Sequence, residues 1–150
     1  MRTRPWMMAA GIALFLAAPA SADPASSPPT IDCAAGFEGI RAQVSALPGI
    51  QQASQDRFDV VTLSAPDTWR VSIAFTRPDH PAHPSVVMRT SRKQVTGVWT
   101  AESKGCGFGD SSVFAALMAE MKTEDSRLTN ESRAVVERER RDRSPLSPSP

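Results

Sequence analysis

Between positions 69 and 76 the chain reads Trp-Arg-Val-Ser-Ile-Ala-Phe-Thr, so Trp69, Val71, Ile73 and Phe75 alternate with Arg70, Ser72, Ala74 and Thr76. Successive side chains of a strand point to opposite faces, and this period of two commits the run to a sheet with one buried face and one mostly wet face. A helix would scatter the four large apolar residues around its circumference. The rest of the chain must then supply strand partners and a cover for the apolar side.

The neighbouring segments meet the first need. Residues 58–64 (Phe-Asp-Val-Val-Thr-Leu-Ser) enter the central run through Ala65-Pro66-Asp67-Thr68, where proline pre-sets the bend of a turn. After a proline-punctuated loop, residues 85–91 and 95–102 read as a second hairpin around Arg92-Lys93-Gln94. Connections this short favour a four-stranded antiparallel meander.

Two amphipathic segments meet the second need. Asp32 is placed to cap a helix in which Cys33, Phe37, Ile40, Val44 and Leu47 recur at helical spacing, and Pro48-Gly49 ends it. Asp110 or Ser111 starts another that carries Val113, Phe114, Leu117, Met118 and Met121 on one side. The expected architecture is α+β, in the order α-β-β-β-β-α, with both helices packed on the single apolar face of the sheet.

At the N-terminus, Arg2 and Arg4 precede an apolar run from Trp6 to Ala18, followed by Pro19-Ala20-Ser21-Ala22. A positive end, a short apolar core and an A-x-A ending are the pattern of a cleaved Sec-type signal peptide, residues 1–22, which sends the chain to a periplasmic or extracellular compartment and leaves no transmembrane span in the mature protein. In such a compartment the two cysteines, Cys33 and Cys106, are expected to form one disulfide. By chain-entropy arguments a bond closing so long a loop stabilises a small domain by up to about 4 kcal/mol.

Composition divides the mature chain. Residues 23–30 are a Pro/Ser-rich flexible linker, and residues 31–125 hold the apolar periodicity of a small α+β domain. From 126 to 143, ten of eighteen residues are charged, so residues 126–150 are expected to form a tail that runs from partly helical to disordered. Removing Arg2 and Arg4 from the count leaves fifteen basic against sixteen acidic residues, a balance that offers no field for nucleic acid.

No motif organises an enzyme. Asp79, His80 and His83 are a candidate metal set, but Pro78, Pro81 and Pro84 forbid the helix that would bring the two imidazoles onto one face. Gly105-Cys106-Gly107-Phe108-Gly109 precedes a helix, as phosphate-binding loops do, yet lacks their Gly-Lys-Ser/Thr ending. Glu124 and Asp125 read as a solvated pair on an exposed helix end. Arg138, Arg140, Arg141 and Arg143 form a basic cluster suited to an anionic surface or an envelope protein. The expectation is a small exported envelope protein without cofactor, acting as a non-enzymatic binding or interaction module. The alternative is a metal-handling protein or small secreted enzyme that uses the Asp79/His80/His83 loop.

Overall fold

The computed structural model describes residues 27–143. The expected signal peptide, residues 23–26 of the expected linker and the final Ser/Pro-rich stretch, residues 144–150, lie outside the described residues. A 3-10 turn (Cys33–Ala35) leads into α1 (Gly36–Ser45), five strands follow, β1 (Gln51–Gln55), β2 (Phe58–Ala65), β3 (Trp69–Thr76), β4 (Ser85–Lys93) and β5 (Trp99–Gly107), and the chain ends in α2 (Ser111–Asp142). The strands form one antiparallel sheet in sequence order. A Cys33–Cys106 disulfide, with Cα atoms 5.4 Å apart, joins the turn before α1 to β5. Such a bond is compatible with an oxidising, exported compartment.

The meander has five strands, not four. Gln51-Gln52-Ala53-Ser54-Gln55 carries no apolar alternation and is exposed along its whole length, so nothing in its pattern marks a strand. It is held by antiparallel pairing to β2, from Gln51 opposite Thr62 to Gln55 opposite Phe58. The last strand is also displaced from the expected 95–102. Gly97, at φ 87°, takes the turn conformation that L-residues avoid, so Val95 becomes the tip of the hairpin and β5 starts at Trp99.

The helices cover opposite faces of the sheet, which corrects the expectation that both lie on one. Ile40 and Val44 of α1 pack with Val61, Trp69, Val71, Ile73, Phe75, Val86, Met88 and Cys106. The four alternating residues of β3 are at most 5 % exposed, as their period requires. Ile73→Ala is therefore expected to cost about 2 to 5 kcal/mol in denaturant unfolding while Ser72→Ala stays nearly silent. Equal effects at the two sites would mean that the buried face is misassigned.

On the other face, Leu117 of α2, with Val113, Phe114, Met118 and Met121 around it, packs with Val87, Phe58 and Ala82. The glycine-rich stretch before α2 belongs to β5. A Cβ on Gly107 would lie 2.5 Å from the Phe114 ring and one on Gly105 2.8 Å from Met118 Sδ, so these glycines let the helix approach the strand. This contact, not a phosphate, accounts for the glycines.

The helix does not end where apolar content falls. It runs antiparallel to β5 from Phe114, against Gly107, to Val136, beside Gly97, and over that interval helix and strand are each about 33 Å long. The Ala101 N–H donates to Thr129 Oγ1 at 3.0 Å and the Trp99 N–H to Ser132 Oγ at 2.8 Å. Hydroxyls of the charged segment thus satisfy outward-pointing amides of an edge strand.

Candidate functional site

The Asp79/His80/His83 loop does not converge on a ligand position. His80 tilts against Phe58, with ring centroids 4.7 Å apart, and its Nδ1 accepts the Ala82 N–H at 3.0 Å. His83 meets Phe37 edge-on at 5.3 Å, and its Nδ1 donates to the Thr76 carbonyl at 2.9 Å. Phe58 belongs to the α2-side core and Phe37 to the α1-side core, so the imidazoles diverge. Asp79 is exposed. Among the described residues no group of three or more His, Cys, Asp or Glu side chains is placed to hold a metal ion. Asp110 caps α2, accepting the Ser112 and Val113 amides at 2.8 and 3.0 Å, and the Ser112 hydroxyl and these amides hold its carboxyl below the usual range.

Burial lowers His80 below the ordinary histidine value of 6.5; the Arg57 charge adds to this, while Asp79 and Glu120 oppose it. Because the unfolded chain binds this proton more readily, His80 contributes stability that is present above pH 6.5 and is lost as the pH falls below it. The urea midpoint is expected to drop through that window. In His80→Asn, whose Oδ1 can accept the same amide but does not titrate, the drop should shrink. A profile identical in the variant would assign the effect elsewhere.

A different surface emerges beside α2. The helix packs along β5 and reaches Val87 and Arg89 of β4, and beyond it Gln51, Thr62, Ser64 and Arg70 of β1 to β3 stay exposed. Register aligns Gln51, Thr62, Ser72, Arg89 and Ser103 across the five strands, and Ser64, Arg70 and Ser91 in the adjacent row. These two rows, Ser103 apart, line a depression of about 300 Å³ whose lining residues include no carboxylate, imidazole or thiol.

Two guanidinium groups define its electrostatics. Arg89 Nε donates to Asp125 Oδ1 at 2.6 Å, its Nη2 approaches the Met121 carbonyl at 3.4 Å, and Ser103 Oγ donates to the same Asp125 oxygen at 2.8 Å. Asp125 is 6 % exposed, which corrects its reading as a solvated helix-end residue. Arg70 reaches across β4 to lie 4.4 Å above the Trp99 ring. One cation is thus pinned by a buried carboxylate and the other braced on an aromatic face. Forked N–H donors and surrounding hydroxyls suit an oxyanion. Without a neighbouring base the serines have no means of activation for attack.

The arginines of the last α2 turns lie elsewhere. Arg140 and Arg143 line a trough with Trp99, Val135 and Val136, Arg143 pairs with Glu139 at 3.2 Å, and Arg138 and Arg141 are on the exposed helix surface. The wet side of β3 was readable from its alternation, but Arg89 and Ser91 join that side only through the β3–β4 register. No spacing in the sequence marks Asp125 as the partner of Arg89, 36 residues away.

No protein-family model matches the chain, and neither a curated protein nor a solved structure matches it. The described residues contain no helix long and apolar enough to cross a membrane.

Proposed function

We propose that this chain is an exported, non-enzymatic binding module that takes an anionic group in the groove beside α2. The observation that carries the reading is the grouping of Arg70 and Arg89 with Thr62, Ser64, Ser72 and Ser91 in a depression whose lining contains no carboxylate, so that Arg70 supplies the uncompensated charge while Arg89 is offset from behind by Asp125. Arg89 is pre-positioned by Asp125 and Arg70 by Trp99, so little side-chain freedom is lost on binding. The divergent histidines and the absence of a base beside the groove serines support binding over catalysis. The disulfide and the leader pattern support export.

Amide chemical-shift titration with inorganic phosphate, sulfate and citrate tests this reading. Saturable shifts are expected in β2, β3 and β4 around Thr62, Ser72 and Arg89, and they should collapse in Arg70→Ala. No saturable shift with any of the three anions, or shifts that persist in that variant, would sink the proposal.

A further inference from the structure

A second surface lies at the end of the molecule where the β4–β5 hairpin meets the last turns of α2. Because α2 runs antiparallel to β5, residues 94–98 and the α2 C-terminus share this end, with Gly97 beside Val136. A trough of about 640 Å³ is floored by Trp99, Val135 and Val136 and rimmed by Lys93, Arg140 and Arg143. Beside it the hairpin tip holds out Val95, which is fully exposed, and Val135 is 48 % exposed.

The charge is also uneven. Residues 92–98 and 132–143 carry seven arginines or lysines against three carboxylates. Adding Asp67, the Lys93 partner at 3.0 Å, leaves this end at +3, although residues 23–150 sum to −1. The remainder of that stretch is therefore at −4. The ion pairs of Lys93 with Asp67 and Arg143 with Glu139 are solvent-exposed and weak enough to be exchanged for other anions.

We propose that this end docks on an anionic lipid bilayer, with Val95 entering the interfacial layer while Lys93, Arg140 and Arg143 face lipid phosphates. Charge complementarity selects the surface, and the apolar tip separates a bilayer from a soluble polyanion, which gains nothing from an exposed valine. Nucleic acid fits poorly, because the one aromatic ring here already has Arg70 on its face. The proposal does not rest on the groove, which lies on β1 to β4 and shares with this end only the Arg70–Trp99 contact.

Flotation of the mature, disulfide-bonded protein with phosphatidylcholine vesicles, with and without phosphatidylglycerol, tests it. Binding is expected only with phosphatidylglycerol and should weaken with added salt. Arg140→Ala with Arg143→Ala should reduce partitioning about twenty-fivefold, from roughly fivefold per cation at an anionic surface. Val95→Asp, at a fully exposed tip that leaves the fold undisturbed, should reduce it about tenfold. No flotation with phosphatidylglycerol overturns the proposal. So does flotation that Val95→Asp leaves unchanged, since that identifies a polyanion contact without insertion.

Discussion

Asp125→Ala is expected to lower the unfolding free energy by about 3 kcal/mol, because it strands the Arg89 guanidinium and the Ser103 hydroxyl without their shared acceptor. The Arg89 side chain keeps 23 % of its exposure, so water recovers part of the loss. Replacing both partners by apolar residues of similar volume, Arg89→Met with Asp125→Leu, should restore much of the stability, since the desolvation of two charges is then removed as well. Urea unfolding of the wild type and the two variants separates these cases. A single variant as stable as the double one would show that the pair contributes nothing net. The same series bears on function, because Arg89 is one of the two groove cations, and the double variant is expected to fold well and bind oxyanions poorly.

Truncation after Asp125 is the other large effect. Removing residues 126–150 is expected to cost about 4 kcal/mol or more, a large share of what a small domain has. Two hydrogen bonds account for about 2 kcal/mol of this, and the half-buried Leu128 and Val136 for most of the rest. Thr129→Ala with Ser132→Ala, which removes the two hydroxyls alone, should show roughly half of the loss. A truncated chain with an unchanged thermal midpoint would instead identify 126–143 as an appendage, in line with its charged composition.

What the sequence disclosed follows from where burial has a period. The β3 alternation, the β2–β3 hairpin and the Ile40/Val44 face of α1 each put apolar residues at spacings only one backbone geometry explains. The disulfide was readable from two cysteines and a leader-like N-terminal pattern. β1 was illegible because an exposed, polar strand has no period to detect; it exists because β2 has an edge to pair. The second half of α2 was misleading for a related reason. Its docking uses Thr129 and Ser132 hydroxyls on backbone amides, contacts that count as polar surface in any composition argument. The groove needed three facts at once: strand register, the side of the sheet that α2 takes, and how far it reaches across. Only the first leaves a partial trace in sequence.

The two margins of the sheet are unequal, and this bears on self-assembly. At the start of β5 two α2 hydroxyls take the outward amides of Trp99 and Ala101, whereas β1 is exposed from Gln51 to Gln55. A chain with a single margin available for strand addition is monovalent: once a second copy joins there, both are consumed and growth stops at a pair. Open-ended polymerisation requires two such margins. By shielding one of them, α2 acts as a chain terminator, and the variant truncated after Asp125 is the form expected to progress from soluble protein to fibrils.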